Sequence, residues 1–141
     1  MTDRSAVPPP DLATLTARAR ALVPVLRQRA QETEELRRIP DETIADLHAS
    51  GLFRMLQPRR IGGSELPYRA LVTLGAIVAE GCGSTGWVLT NLASHHWMLG
   101  MWPEAAQAEI WGPSPDDLIG SAFVFPAGRA RAVDGGYVLS G

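Results

Sequence analysis

Trp87, Asn91, Ser94, His95 and Met98 recur at i, i+4, i+7, i+8 and i+11. That spacing places all five on one face of a helix. The face mixes a large π surface, an amide, a hydroxyl and an imidazole, and an imidazole can take or give a proton near neutral pH. A competing reading makes Trp87 a core residue and His95 a hydrogen-bonded structural histidine, and the residue types leave both open. Trp97, Trp102 and Trp111 crowd the segment that follows. Further along, Ser121 begins an apolar run. A serine beside free backbone N–H groups could hold a ring carbonyl or an anion, or be an ordinary strand serine.

Other chemistries fit less well. Gly81-Cys82-Gly83-Ser84-Thr85-Gly86 matches G-x-G-x-x-G literally. A dinucleotide fingerprint needs a buried strand in front of it and an acidic residue on a second strand about 20 residues on. The segment in front, Leu74 to Glu80, reads as helix, and Glu80 suits a solvated helix end. The glycines are therefore expected to make a tight helix–helix turn with φ > 0, with Ser84 capping the next helix. His95 and His96 are adjacent and point to different faces, with no acid or histidine at i±3 or i±4, so no metal site is expected. No buried acid can be paired with His95 from the sequence, so a Ser-His-Asp triad is not indicated. The chain has no lysine, its 13 basic residues all being arginine, which excludes a P-loop and lysine-nucleophile chemistry here.

The elements that must carry these residues are mostly helical. Asp11 is the expected N-cap of a long helix with Leu15, Leu22, Val25, Leu26, Ala30 and Thr33 on its apolar stripe. Pro24 predicts a kink or break within it. Glu32, Glu34, Glu35, Arg37 and Arg38 form its solvated end. Pro40-Asp41-Glu42 opens a second helix carrying Ile44, Leu47 and His48, and Gly51 closes it. Leu52 to Leu56 should plug into the core, and residues 58–67 form a loop. Further helices are expected from about Tyr68 to Glu80, Ser84 to Met101 and Pro103 to Gly112. Ile119–Phe125, Arg129–Val133 and Tyr137–Ser140 then read as strands, the last two joined by Asp134-Gly135-Gly136.

The organisation expected is a flexible arm over residues 1–10, a helical domain over 11–118, and the start of a β-domain over 119–141. Two or three strands ending on an unpaired edge do not hold themselves together, so the chain is expected to continue into a longer protein. With 141 residues, 45% hydrophobic and 20% charged, there is ample material for one core. A net charge of −2 offers no general affinity for nucleic acid or anionic lipid. One cysteine, Cys82, excludes an internal disulfide and fits a reduced, cytoplasmic compartment. No apolar run approaches a membrane span.

Several of these motifs are familiar together. Pro40-Asp41-Glu42-Thr43-Ile44, Gly51 through Pro58, Gly62-Gly63, Gly81 through Trp87, His95-x-Trp97 and Ser121 through Gly141 resemble, in order, the two-component flavin-dependent aromatic monooxygenases. The resemblance is to types such as the oxygenase components of 4-hydroxyphenylacetate 3-hydroxylase and of the steroid-ring phenol hydroxylase. The resemblance implies a mainly α chain: the N-terminal helical domain of an acyl-CoA dehydrogenase-like fold, then the first strands of a middle β-domain. It implies hydroxylation of a phenol or other small aromatic through a flavin C4a-hydroperoxide. The cofactor would be reduced FMN, or FAD, supplied by a separate flavin reductase, in a homo-oligomer that is tetrameric by resemblance. It implies that His95 assists deprotonation of the phenol, that Trp87 lines the pocket with Asn91, and that Ser121 lies near substrate or flavin. The remaining cofactor contacts would lie beyond Gly141, so this piece alone is expected to be inactive. Rival readings are an acyl-CoA dehydrogenase-type oxidoreductase, an amine N-hydroxylase of the same fold, and a helical fragment that only associates with a partner.

Overall fold

The computed structural model describes residues 8–121 and 127–141. Asp11 starts the first helix as expected: its carboxylate accepts from the Thr14 amide at 2.8 Å, one of the orphan donors of a helix start. Helix α1 (Leu12–Gln28) buries Leu15, Ala19, Val23 and Leu26 at i, i+4, i+8 and i+11, and leaves Leu22 and Val25 at the stripe's edge. It runs through Pro24 without interruption. Pro24 and Arg20 both face solvent, so the one carbonyl robbed of its N–H partner remains exposed to water. The break comes at Arg29 instead, before α2 (Ala30–Leu36). There the guanidinium reaches across to α3 (Asp41–Ser50), meeting Asp46 at 2.7 Å and the Thr43 hydroxyl at 3.2 Å.

Gly51 ends α3 at φ +77°, a left-handed position that a side chain would strain. The next residues make a 3-10 turn (Leu52–Arg54) rather than an extended segment, and Leu52, Phe53, Met55 and Leu56 all enter the core as expected. A second 3-10 turn (Arg59–Ile61) lies within the following loop. Helices α4 (Arg69–Ala79) and α5 (Gly83–Gly100) pack against one another, and α4 also packs on α1.

The glycine-rich junction between α4 and α5 works differently from the expectation. None of its three glycines takes a positive φ. The role of Gly81 and Gly86 is close approach, whereas a Cβ on Gly83 would meet open space. A Cβ on Gly81 would stand 2.7 Å from the Leu26 Cβ on α1, and one on Gly86 would stand 2.7 Å from the Ala79 Cβ. Ser84 is not the cap either, since the helix begins at Gly83 and Cys82 holds the N-cap position without a side-chain bond. Leu74 to Ala79 is helical, so the strand that a nucleotide fingerprint requires is missing here.

Helix α6 (Glu104–Trp111) folds back beneath α5, and the buried Gln107 ties the two together. Its amide donates to the Gly100 carbonyl at 3.1 Å and the Trp102 carbonyl at 2.7 Å, satisfying the end of α5. Ile119 to Ser121 is not strand, and the rest of the strand expected over Ile119–Phe125 lies outside the described residues. Described β structure begins at β1 (Arg129–Val133), paired antiparallel with β2 (Gly136–Ser140), Arg129 opposite Ser140 and Val133 opposite Gly136. Asp134-Gly135 makes the turn, with Gly135 at φ +76°. All ten strand residues are exposed. No helix among the described residues is long and apolar enough to cross a membrane.

Candidate functional site

Helix α5 carries most of the candidate chemistry. Its mixed composition keeps Leu89, Ala93 and Leu99 in the core and turns Leu92, His95 and His96 toward the segment after α6. That return segment, residues 113–121, runs back along α5. His96 meets Asp117, Leu92 lies under Gly120, and His95 meets Ser121.

His95 is almost fully buried, at 3% exposure. Its Nδ1 lies 2.6 Å from the Asn91 carbonyl oxygen and its Nε2 lies 2.6 Å from the Ser121 hydroxyl. A carbonyl can only accept, so in the neutral ring Nδ1 carries the proton and donates it to Asn91. Nε2 then presents a lone pair, and the Ser121 O–H donates to it. The ring's tautomer and orientation are both set by its own helix. If Nε2 takes a proton, the resulting imidazolium still finds an acceptor at each nitrogen.

The structure thus brings together His95 and Ser121, 26 residues apart in the chain. Asn91 contributes its backbone carbonyl, which also accepts from the Ser94 hydroxyl at 2.6 Å; its side chain forms no hydrogen bond among the described residues. Trp87 stands apart from this pair, eight residues before His95, or about 12 Å along a helix. It is not a core residue: its indole is 72% exposed. It lines an open cleft of about 500 Å³ with Arg37, Arg38, Ile39, Thr33 and Ser84. Among the other tryptophans, Trp111 is buried while Trp97 and Trp102 are largely exposed, Trp97 meeting Tyr68 edge-on at 4.9 Å. No cluster of three metal-ligating side chains occurs among the described residues. Cys82 is buried and unpaired.

Sequence reasoning passed over His96, which is completely buried. Its Nε2 donates to the Asp117 carbonyl at 3.2 Å and its ring meets Trp111 edge-on at 5.6 Å. The signal was available only in part, because adjacent histidines on a helix point different ways but nothing local says that both point inward. Burial holds the His96 imidazole below the ordinary histidine value, the hydrogen bond to Asp117 opposing this and the nearby charges of Arg54 and His48 adding to it. A lowered folded value means that unfolding takes up a proton below about pH 6.5, the ordinary value. Stability is therefore complete above pH 6.5 and falls as the pH drops below it. We expect chemical denaturation between pH 7.5 and 5.5 to show this loss, at a slope of at most about 1.4 kcal/mol per pH unit. His96→Gln, which retains a donor for Asp117, should flatten the slope; an unchanged slope would exclude His96 as its source.

Comparison with known proteins places the chain in a family. The acyl-CoA dehydrogenase N-terminal domain family matches residues 11–114, and the chain belongs to that family. The oxygenase subunit HsaA of a flavin-dependent monooxygenase from Rhodococcus jostii is 43% identical over 121 residues, covering 86% of this chain and 31% of the relative. The oxygenase component of an FADH2-dependent resorcinol hydroxylase from a Rhizobium species is 40% identical over 127 residues, covering 90% of this chain and 31% of the relative. The crystal structure of the HsaA monooxygenase from Mycobacterium tuberculosis superposes with a TM-score of 0.87 at 39% identity, covering 92% of this chain and 34% of that one. The chain spans about a third of the length of these relatives.

Proposed function

We propose that this chain forms the helical part of a reduced-flavin-dependent monooxygenase that hydroxylates a phenolic or similar small aromatic substrate. The observation that carries the reading is the buried His95 Nε2, with its lone pair fixed by the Asn91 carbonyl and faced by the Ser121 hydroxyl. The kinship with flavin-dependent hydroxylases supports the same reading.

A phenol is a weak carbon nucleophile and its phenolate a strong one, because the charge spreads onto the ring carbons. A base beside the phenol oxygen therefore does the work this reaction asks of the protein. A phenol O–H at Ser121 passes its proton to the serine oxygen as the serine passes its own to Nε2. The imidazolium that results keeps its Nδ1–H on Asn91. The proton returns when the aromatic ring is restored.

The donor set fits a planar, weakly polar group rather than a phosphate. It consists of a neutral hydroxyl–imidazole pair and, farther along the helix, an exposed indole face. Trp87 would lie against the flavin ring, which when bound supplies the electrons that activate oxygen, and Ser121 would face the substrate. The name of the resorcinol relative favours FAD over FMN as that flavin. The reading includes a separate flavin reductase in the cytoplasm and assembly of the oxygenase into a homotetramer. The domain division at residue 118 and an inactive isolated piece belong to the same proposal.

The test is isotopic. The intact protein, given chemically reduced flavin, 18O2 and a panel of phenols, should release a catechol or resorcinol-derived product carrying one labelled oxygen. Oxidation of acyl-CoA without label in any product would favour the dehydrogenase reading instead, and a labelled hydroxylamine the N-hydroxylase reading.

A further inference from the structure

Residues 115–117 are held by the helical body at three successive positions. The Gln57 amide, fully buried, donates to the Pro115 carbonyl at 2.8 Å. The Arg54 guanidinium faces the Asp116 carboxylate at 3.4 Å. His96 donates to the Asp117 carbonyl at 3.2 Å. Gln57 is itself oriented, because Arg54 Nε donates to its side-chain oxygen at 2.7 Å, and this obliges the amide nitrogen to point at Pro115. Arg54 is fixed in turn by the Ile61 carbonyl at 2.8 Å.

We infer that Arg54, Gln57 and His96 form a clamp that sets the return segment on α5 and thereby holds Ser121 against His95. These are positioning residues, and the inference rests on the role proposed above for the His95–Ser121 pair.

The physical case is one of leverage. Ser121 is exposed, and among the described residues its backbone forms no hydrogen bond to the helical body. Its hydroxyl can meet Nε2 only if the chain arrives in the right place. Between the clamp and Ser121 stand only three residues, of which Leu118 rests on the core and Gly120 passes over Leu92. A shift at 115–117 therefore passes to Ser121 with little to absorb it. Two of the three contacts end on backbone carbonyls, so they fix the path of the chain whatever side chains it carries. The 3-10 turn that supplies Arg54 is the same one that plugs Leu52 and Phe53 into the core, which gives the clamp a rigid base.

The experiment uses the intact protein and the variant Gln57→Glu. A carboxylate at 57 still accepts from Arg54 but cannot donate to Pro115, so the clamp opens while its base survives. Two readouts apply. The first needs no flavin: acylation of histidine by diethyl pyrocarbonate, mapped by peptide mass spectrometry. Freed from Ser121, His95 Nε2 should be acylated several-fold faster, with His48 as an internal reference whose rate does not change. Ser121→Ala should raise the His95 rate to the same level, and Gln57→Glu added to Ser121→Ala should raise it no further. The second readout is hydroxylated product per reduced flavin oxidised. It should fall on the order of 10-fold in Gln57→Glu, within the range for a reacting group displaced by about 1 Å, and again without additivity to Ser121→Ala. A folded Gln57→Glu protein with unchanged His95 acylation, or effects that simply add to those of Ser121→Ala, would overturn the clamp. Should Gln57→Glu not fold, Gln57→Met removes both hydrogen bonds without burying a charge and is read in the same way. If the unmodified protein hydroxylates no phenol, the proposed function fails while the acylation result still decides the clamp.

Discussion

His95→Asn in the intact protein should abolish most hydroxylation while leaving the consumption of reduced flavin and oxygen largely in place. Asparagine fills similar space but offers no titratable lone pair where Nε2 meets Ser121. Removing a positioned general base slows the step it serves by about 10²–10⁴-fold, equivalent to roughly 3–5 kcal/mol of barrier. Oxidation of reduced flavin by oxygen needs no phenol deprotonation, so it continues and yields hydrogen peroxide in place of product. Stopped-flow absorbance of the flavin, together with product and peroxide assays, separates the two. The opposite result has its own reading. Were His95 only a buried hydrogen-bonding residue, its loss would lower stability by ~1–3 kcal/mol and damage both processes alike. Unchanged hydroxylation in a stably folded variant would remove His95 from the reaction. The variant is informative because the ring is so fully engaged: a surface histidine could be replaced without consequence, whereas one at 3% exposure with both nitrogens bonded cannot.

The largest effect on stability is expected from Phe53→Ala. Phe53 is the bulkiest of the fully buried side chains and lies in the 3-10 turn between α3 and the loop that leads to α4. Its ring meets His48 at 4.8 Å, and its turn packs against both α3 and α5. Truncation removes the burial of the ring and leaves a cavity that a helix junction can close only in part. The loss is expected at about 3–5 kcal/mol, a large share of the roughly 5–15 kcal/mol that holds a domain together. Urea unfolding followed by circular dichroism measures it, and a loss below about 1 kcal/mol would mean that the neighbouring helices collapse into the space. Because the same turn carries Arg54, the variant should also loosen the return segment that bears Ser121.

Much of the helical framework was legible because its signals are local. Asp11 as a cap, Gly51 as a stop and the apolar spacing of α1 and α3 depend only on residues within a few turns of one another. The Asp134-Gly135 hairpin is equally local and was placed to within one residue. Where local signals went wrong, packing or solvent had decided. Pro24 reads as a break, yet the carbonyl it frees is on the wet side, so the helix continues. The glycines at 81, 83 and 86 read as a positive-φ turn. The use of Gly81 and Gly86 is set by what lies opposite them, Leu26 and Ala79, which the local sequence cannot name.

The candidate site divides along the same line. The helical face holding Asn91, Ser94 and His95 follows from spacing alone, and the exclusion of lysine chemistry from composition alone. That Trp87, on the same face, stands in solvent about two turns away from any contact with Ser121 follows only from how α2 and the residues after it leave a cleft beside it. The meeting of His95 with Ser121 spans 26 residues and depends on where α6 turns the chain back. The tautomer of His95 comes from a carbonyl one turn earlier, a bond visible only once the ring's rotamer is known. Sequence by itself determined which residues could carry a proton and which helix would present them. Tertiary structure decided which of them meet, because a hydrogen bond needs two groups within about 3 Å, and only the packing of distant segments sets that distance.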